Sequence, residues 1–251
     1  SPLFVGVDRL DHVRLLRKIE RGPDKPKATK IASTRLSEVA DFLWVANGRP
    51  SPRYEPESLR GRLHTIMTPW MNEGFFADVV VLVEGEDDRA AILGMSYAME
   101  LNLERDGYCV IPCMGKNNLD RPLVIFRKLG IPVYVIWDSD YKTDNGNPTT
   151  NRYLLRLVEA AAEDWPSAVE GNYASFISNM EIVIREEIGE LEFDDIITDL
   201  QDEFGINKRE QALKMPVIIQ KAIQRAREVD RTSQTLEAIV NMLLNLKQRQ
   251  L

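Results

Sequence analysis

The feature that most constrains the fold is an unbroken apolar run, Val79 to Val83, which follows Asp78 and leads into Glu84-Gly85. The run is rich in β-branched side chains and has no polar alternation. Short runs of this kind, bounded by turn residues, are typical of a strand that is buried on both faces, as in a parallel sheet. Parallel strands need helical crossovers, so we expect strands and helices to alternate along this part of the chain.

The sequence after this run alternates between strand and helix patterns as expected. We predict further strands at 108–112, 131–138 and 174–177, and helices at 87–103, 117–129, 149–163 and 181–187. Right-handed crossovers then give a compact α/β fold with a Rossmann-like parallel sheet of about four strands, flanked by helices.

Both flanks of this region have helical spacing. Helices are predicted at 12–20, 33–46 and 55–71, and from 193 to the end. Pro216 is expected just inside one helix start, and Thr232-Ser233 is expected to cap the last helix. We therefore expect an all-helical part built from the N- and C-terminal segments. The predicted units are an N-terminal helical segment (1–75), a catalytic α/β domain (76–190) and a C-terminal helical segment (191–251).

Charge is unevenly distributed along the chain. The net charge of −7 argues against a protein that coats nucleic acid simply by being basic. Residues 1–75, however, carry 13 basic against 9 acidic side chains, and residues 204–251 carry nine against four. Two basic flanks thus surround an acidic middle, which leaves room for a local nucleic-acid contact.

Cysteine content and hydropathy indicate a cytoplasmic setting. Cys109 and Cys113 are too few for a zinc site and fit small apolar positions in or beside a buried strand. No apolar stretch approaches the ~18 residues of a membrane span, and no signal-peptide pattern opens the chain. We expect no membrane partner. The start at Ser1-Pro2 suggests a region of a longer protein.

Acidic side chains cluster where two predicted strands end. Glu84 closes the first strand, and Asp88 falls in the first turn of the following helix, where the helix dipole favours a carboxylate. Asp138 and Asp140 end the third strand, and their spacing of two places both on one side of an extended chain. Chemistry in such sheets sits at the carboxyl ends of strands, so the four carboxylates converge if the two strands are neighbours.

Four converging carboxylates need a positive charge between them, because like charges raise each other's pKa and oppose folding. Mg²⁺ usually takes only one or two carboxylates per ion, so four carboxylates suit two ions. Two ions can clamp the attacking and the leaving oxygen of a phosphodiester, which predicts phosphoryl chemistry on nucleic acid. Taken singly, each pair also fits an acidic helix start or a loop start. Glu86 and Asp87 are assigned to the helix start and to no metal.

The motifs VVLVEGEDDRAAIL and VYVIWDSD resemble the Toprim domain, whose pattern is a glutamate closing the first strand and an Asp-x-Asp closing the third. The chain further resembles the C-terminal region of nucleases of the OLD (overcoming lysogenization defect) family, which join an N-terminal ABC-type ATPase to a Toprim nuclease. The features that point there are Asp88 four residues after Glu84, the MGKNNLD turn, Asn-Met-Glu near 181 and Lys-Met-Pro near 214. The resemblance covers about residues 76–220.

The resemblance implies roles for individual residues. Glu84, Asp88, Asp138 and Asp140 would hold the metals, with Glu181 as a further acidic ligand and Ser139 adding a backbone or hydroxyl oxygen. Lys214 would stabilise charge on the phosphate in the transition state, and Lys116 is a second candidate for phosphate contact, in a turn before a helix. Gly115-Lys116 lacks the preceding glycine of a P-loop, so no nucleotide binding is expected in this region.

The function implied is a DNA endonuclease that uses two Mg²⁺ or Mn²⁺ ions, with Ca²⁺ as a non-catalytic substitute. The partners implied are DNA and the ATPase region of the same polypeptide, and we expect this region to be monomeric. Two alternatives stay open. One is another Toprim activity, such as a topoisomerase or primase. The other is a non-catalytic module in which the carboxylates bind one structural cation and the helices mediate assembly.

Two surfaces beside the site are also singled out by the sequence. The polar stretch 141–151, next to Asp140, fits either a mobile wall of the site or a plain connection. The basic flanks are expected to act as arms that guide duplex phosphates; their residues are Arg9, Arg14, Arg17, Lys18, Lys221, Arg225, Arg227 and Arg231.

Overall fold

The computed structural model describes residues 5, 7–22, 24–48, 55–66, 69–144 and 146–248. The strands within them are β1 (Leu15–Ile19), β2 (Ala28–Ala32), β3 (Val79–Val83), β4 (Tyr108–Pro112), β5 (Val133–Asp138), β6 (Ala168–Val169) and β7 (Tyr173–Phe176). The helices are α1 (Leu36–Ala46), α2 (Pro56–Ile66), α3 (Pro69–Glu73), α4 (Glu86–Ala98), α5 (Asp120–Lys128), α6 (Pro148–Leu157), α7 (Met180–Ile188), α8 (Glu190–Phe204), α9 (Arg209–Leu213), α10 (Pro216–Glu228) and α11 (Gln234–Gln248).

Five of these strands form one sheet in the order β4-β3-β5-β7-β6. The pairs β3–β4, β3–β5 and β5–β7 are parallel, and only the two-residue β6 pairs with β7 in the antiparallel direction. The predicted α/β fold with a mainly parallel sheet flanked by helices is therefore confirmed. All five side chains of β3 are buried, as its uninterrupted apolar sequence predicts.

Alternate residues of β3 point into two separate hydrophobic cores. Val79, Val81 and Val83 pack in the core that contains α4 and the helices α7 to α11. Val80 and Leu82 pack in the core that contains α1, α2, α5 and α6. The two flanks of the chain thus cover opposite faces of the sheet, because a strand places successive side chains on opposite sides. They do not combine into one helical part.

The first predicted helix, 12–20, is wrong: this segment forms β1, which pairs with β2 in an antiparallel hairpin. Nine residues with apolar positions at Val13, Leu16 and Ile19 match a helical spacing, but the segment is too short to separate the two periods. Gly22, with φ of 115°, and Asp24, with φ of 62°, lie in the connection. These left-handed conformations suit a reversal of the chain, and the backbone groups of 15–19 are then satisfied by β2.

Most other elements match the predictions in type and differ at their ends. Helix α1 begins at Leu36 rather than at 33, α4 ends at Ala98 rather than at 103, and α6 ends at Leu157 rather than at 163. The predicted helix 55–71 is represented by α2 and α3, and Met67 and Thr68 lie outside the described residues. Pro216 occupies the first turn of α10, and Ser233 Oγ accepts a hydrogen bond from the main-chain N–H of Leu236, as expected for a cap.

No helix in the described part of the chain is both long and apolar enough to cross a membrane.

Helices α4 and α10 pack so closely that a glycine is required between them. A Cβ atom at Gly94 would lie 2.5 Å from Ile219 Cβ and 2.8 Å from the Pro216 carbonyl oxygen. We therefore expect Gly94→Ala to lower the free energy of unfolding by about 1–3 kcal/mol in urea titrations, against the ordinary helix preference for alanine. Gly61→Ala in α2 is the control, because no atom lies within 4 Å of its Cβ position. It should stabilise the protein by ~0.5–1 kcal/mol. Equal shifts in the two variants would contradict the packing argument.

Candidate metal centre

The sheet reverses its winding direction between β3 and β5. The chain passes from β3 to β4 on one side and then returns to β5 on the other side of β3. In open α/β sheets, the crevice outside the carboxyl ends of the strands at such a switch point is where ligands bind. Glu84 follows β3 and Asp138 ends β5, so both lie at this crevice. The main-chain N–H of Asp138 donates to Glu84 Oε1 over 2.8 Å, which joins the two strand ends directly.

Asp88 enters the same crevice from the start of α4. Its Oδ2 accepts a hydrogen bond of 2.9 Å from the main-chain N–H of Gly85, the residue that caps the helix. This contact satisfies one of the main-chain donors at the helix terminus and holds the carboxylate beside the end of β3.

Burial and mutual repulsion raise the pKa of three acids in the crevice. Burial is the largest cause for Asp138, and the charges of Asp88, Glu84 and Asp140 add to it, so the pKa of Asp138 rises to about 9. Burial, followed by the charge of Asp87 and further by that of Glu84, raises the pKa of Asp88 to about 7. Burial also raises the pKa of Glu84, although the hydrogen bond from Asp138 and the charge of Lys116 oppose this. The cluster is thus short of positive charge.

The ammonium group of Lys116 contributes a positive charge to this cluster of acids. Its side chain is only 8% exposed, and its ammonium donates to Asp140 Oδ2 over 2.6 Å and to the Asp138 carbonyl oxygen. The main-chain N–H of Gly115 donates to the Glu84 carbonyl oxygen over 2.9 Å, which anchors the turn that carries Lys116 to the end of β3. The lysine therefore lies against the acids, and its ammonium group is engaged by them.

The Asp138–Asp140 segment is fixed by its main chain. Asp140 has a φ of 59°, in the left-handed region. Ser139 is fully buried; its N–H donates to the Phe176 carbonyl oxygen over 2.7 Å, and its hydroxyl donates to the Pro166 carbonyl oxygen. The Ser139 carbonyl oxygen accepts from the Asn151 side chain. Both oxygen atoms of Ser139 are therefore engaged by protein groups other than the carboxylates, and its role as a metal ligand stays a prediction.

Asn151 is the main element of the site that sequence reasoning missed. It lies in α6, is fully buried, and contacts both Lys116 and the main chain of Ser139. The available signal was the Asn147-Pro148 pair, which marks a helix start and so places Asn151 within the first turns of a helix beside Asp140. Asn151, the last residue of the stretch 141–151, is therefore anchored to the site by these hydrogen bonds.

Glu181 and Lys214 lie at the edge of the crevice. Glu181, near the start of α7, lines a small cavity together with Asp87 and Asp88. Its carboxylate pairs with Arg209 over 3.0 Å. Lys214 follows α9 directly and is exposed, and the preceding residue, Leu213, lines the same cavity as Asp88. The structure therefore brings both residues to the side of the site where α4 begins.

Most of the basic residues predicted to guide DNA have other positions or partners. Arg17 in β1 donates to the carbonyl oxygen of Ala77, two residues before β3 begins, so the hairpin lies at the amino edge of the sheet. The acids lie beyond the other end of β3, about 17 Å away for a five-residue strand. On the C-terminal flank, Lys221 and Arg225 both pair with Glu203. Arg227 pairs with Glu237, and Arg231 donates to the Ile188 carbonyl oxygen. These contacts link parts of this chain to one another.

The acids form a set of donors that suits a hard divalent cation. Glu84, Asp88, Asp138 and Asp140 offer carboxylate oxygens, and the raised pKa values of the first three indicate that added positive charge would relieve repulsion. Across the described ranges, no group of three or more aspartate, glutamate, histidine or cysteine side chains is arranged so that it could hold a metal ion. Mg²⁺ does not require such a group, because it keeps several waters and is bound through one or two carboxylates.

A mainly parallel sheet with helices on both faces and acids at its switch point is a Toprim-type fold. Residues 75–140 match the family model described as "Overcoming lysogenization defect protein-like, TOPRIM domain". This stretch is therefore similar to the Toprim domain of OLD-family proteins, which agrees with the resemblance of its motifs. A curated relative, the "OLD nuclease" of Thermus scotoductus, is 29% identical over 140 residues, which cover 56% of this chain and 23% of that protein.

Two solved structures resemble this chain. One is the C-terminal region of the Burkholderia pseudomallei OLD protein, with 21% identity, 70% of this chain and 100% of that chain covered, and a TM-score of 0.45. The other is the C-terminal region of the Xanthomonas campestris pv. campestris OLD protein, with 16% identity, 70% and 97% coverage, and a TM-score of 0.45.

Proposed function

We propose that this chain is the catalytic part of a divalent-metal-dependent DNA endonuclease. The observation that carries the proposal is the group of carboxylates, Glu84, Asp88 and Asp138, that burial and mutual repulsion leave short of positive charge at the switch point of an OLD-like Toprim sheet. The name of the curated relative, a nuclease, supports the same reaction class. Divalent ions bound by these carboxylates would neutralise the negative charge that develops on the phosphate oxygens during phosphodiester hydrolysis.

The four carboxylates have different tasks in this proposal. Glu84 accepts the N–H of Asp138 and also interacts with the main chain of Lys116, so it fixes the relative positions of the two strand ends and would contribute a carboxylate oxygen to an ion. Asp88 is held by Gly85 at the start of α4 and would contribute a carboxylate oxygen from that side. Asp138 and Asp140 face the crevice from β5 and the segment that follows it. Glu181 is a further ligand only if its pairing with Arg209 is exchanged for an ion.

Two Mg²⁺ or Mn²⁺ ions are proposed, because four carboxylates exceed what one Mg²⁺ usually takes. When bound, they would lower the pKa of the attacking water and neutralise the leaving oxygen. Ca²⁺ is proposed to bind without supporting cleavage. Lys116 holds Asp140 and the Asp138 carbonyl oxygen, and we expect its ammonium to approach a phosphate oxygen once the ions neutralise the acids.

Lys214 is proposed to donate to the scissile phosphate. It is exposed beside the cavity that Asp88 lines, and none of the hydrogen bonds or ion pairs recorded for the described residues occupies its ammonium. An exposed ammonium that follows a residue lining the cavity would be able to approach the substrate and stabilise the charge that develops in the transition state.

The proposal is tested by nicking of supercoiled plasmid. The purified chain should convert supercoiled to open-circular DNA in Mn²⁺ or Mg²⁺ and should be inactive in EDTA or in Ca²⁺. Lys214→Gln should lower the maximal rate on the order of 10²-fold, since it removes one transition-state donor. Lys208→Gln is the matched control, because Lys208 is another exposed lysine at the opposite end of α9.

Three results would decide against parts of this proposal. Metal-independent cleavage, or the absence of cleavage in all metals, would remove the nuclease assignment. Equal rate losses in the two lysine variants would remove the specific role of Lys214 and leave only a general charge effect.

A further inference from the structure

Asn151 connects three parts of the candidate metal centre with one amide group. Its Nδ2 donates to the Ser139 carbonyl oxygen over 3.0 Å and to the Asp164 carbonyl oxygen over 2.8 Å. Its Oδ1 accepts from the Lys116 ammonium over 3.4 Å. The side chain is fully buried, so three of its four hydrogen-bonding positions are used by groups of the protein.

The segment that carries Asp138 and Asp140 is thereby held from two sides. On one side, the N–H groups of Ser139 and Tyr141 donate to the carbonyl oxygens at the end of β7, over 2.7 and 2.9 Å. On the other side, Asn151 binds the Ser139 carbonyl oxygen from α6. The short segment is therefore held by main-chain hydrogen bonds at the end of β7 and by a side-chain hydrogen bond from α6.

Such fixation has a physical purpose here. The two aspartates carry like charges two residues apart, and Asp140 holds a left-handed backbone conformation that costs ~1–2 kcal/mol for a residue with a Cβ. A free loop would relax by turning one carboxylate away. Metal sites tolerate displacements of only about 0.5 Å in their ligands, so a loop that relaxes would lose the ion.

The hydrogen bonds made at position 151 suit an asparagine side chain. The side chain must donate twice, to two carbonyl oxygens, and must present an oxygen to an ammonium group. An ionised aspartate cannot donate, and a leucine of similar size can do neither. Removing the amide would leave the Ser139 and Asp164 carbonyl oxygens without this donor in a buried setting.

We propose that Asn151 is a positioning residue of the metal centre. Its amide fixes the main chain of 138–140 and the Lys116 ammonium so that the carboxylates of Asp138 and Asp140 face the bound ion. This inference rests on the proposed function in one respect, namely that these carboxylates bind divalent ions.

The test compares Asn151→Leu with Asn172→Leu. Asn172 lies before β7, at the amino edge of the sheet, and its Nδ2 donates to the Val158 carbonyl oxygen over 2.9 Å, just after α6. The Asn172→Leu variant therefore loses a side-chain amide contact of a similar kind, at the edge of the sheet opposite to the acids. Mn²⁺ affinity is measured by titration calorimetry without DNA, and the melting temperature and the nicking rate are measured on the same samples.

Asn151→Leu should bind Mn²⁺ at least ~10-fold more weakly, in line with losses seen when groups that orient metal ligands are removed. Its nicking rate should fall by a similar factor and recover in part when Mn²⁺ is raised. Asn172→Leu should lose thermal stability but keep the Mn²⁺ affinity of the unaltered protein. Asn151→Ser, which retains one small donor, should give an intermediate Mn²⁺ affinity.

Each outcome separates this inference from the proposed function. If the unaltered protein cleaves DNA while folded Asn151→Leu and Asn151→Ser bind Mn²⁺ within twofold of it, the positioning role is overturned and the nuclease stands. If the protein binds Mn²⁺ but cleaves nothing, the nuclease falls, and weaker Mn²⁺ binding in Asn151→Leu still supports the positioning role. Failure of both Asn151 variants to fold would overturn it in favour of a purely structural role.

Discussion

Asp138→Asn is expected to lower metal-dependent nicking on the order of 10³-fold or more while the protein stays folded. Asparagine keeps the size of the side chain and removes the charge. The lost carboxylate lies at the end of β5, whereas the main-chain N–H of residue 138 still donates to Glu84, so the fall in rate reports on the missing charge and not on a broken link between the strand ends. Mn²⁺ binding measured without DNA should weaken in parallel with the rate.

The same substitution should stabilise the metal-free protein at high pH. Burial and the charges of Asp88, Glu84 and Asp140 oppose ionisation of Asp138, so its ionised form is the strained one. At pH 9 we expect the melting temperature to rise by roughly 2–5 °C, the response of a chain of this size to about 1 kcal/mol. At pH 5, where Asp138 is protonated, the gain should disappear.

Asp144→Asn is the matched control for this experiment. Asp144 is exposed in the segment that follows Asp140, so the substitution removes one charge near the site without touching the cluster. Its nicking rate should stay within about twofold of the unaltered protein, as for ordinary surface changes. Nicking by Asp138→Asn at the rate of this control would remove Asp138 from the metal centre.

The sheet and the positions of its acids follow from local sequence signals. The run at 79–83 and the run at 133–138 are too apolar and too short for anything but buried strands, and each ends in acids. Their adjacency depends on the doubly wound order, in which the chain returns across β3. The Toprim motifs in these two runs predict the similarity to OLD-like Toprim domains that is found over residues 75–140, because the motif residues and the strand ends coincide.

Features that depend on distant partners were beyond the sequence. The sequence predicts that Lys116 is a candidate for phosphate contact, but its turn gives no sign that the ammonium group is buried against Asp140. The hairpin β1–β2 was missed because its strands are short and its pattern fits a helix equally well. Lys221 and Arg225 are predicted to contact DNA phosphates, whereas in the structure both pair with Glu203 of α8. The assignment of ligand roles and the unit boundaries at 75/76 and 190/191 stay predictions.

The second large effect is a fall in the stability of the metal-free protein as pH rises. Asp88 and Asp138 have folded-state pKa values of about 7 and about 9, against 3.8 for an ordinary aspartate. Between the ordinary pKa of 3.8 and these raised values, the folded state binds more protons than the unfolded state. The stabilisation that these two groups contribute is therefore fully present below about pH 4 and is lost as pH rises through the folded-state pKa values. We expect the melting temperature in EDTA to fall by roughly 5–10 °C from pH 5 to pH 9.

Apart from Asp120, whose pKa is also raised by burial, the other groups with shifted pKa values act outside this window. The carboxylates of Asp194 and Glu203 have lowered pKa values because arginine and lysine hydrogen bonds hold them ionised, so their contribution is lost only in acid, below about pH 4. Burial raises the pKa of Cys109 to about 12, which affects stability only above the ordinary thiol range. The slope between pH 5 and 9 therefore reports on the acid cluster together with Asp120, and the difference between the unaltered protein and Asp138→Asn reports on the cluster.

Divalent ions should reverse this slope, since protons and metal compete for the same carboxylates. Saturating Mg²⁺ should raise the melting temperature more at pH 9 than at pH 5, where the acids are protonated and bind weakly. Asp138→Asn in EDTA should show a shallower pH dependence than the unaltered protein, while Asp144→Asn should match it. A melting temperature that is flat from pH 5 to 9 in EDTA would mean that the acids of the crevice ionise freely, and the case for a charge-deficient metal centre would be lost.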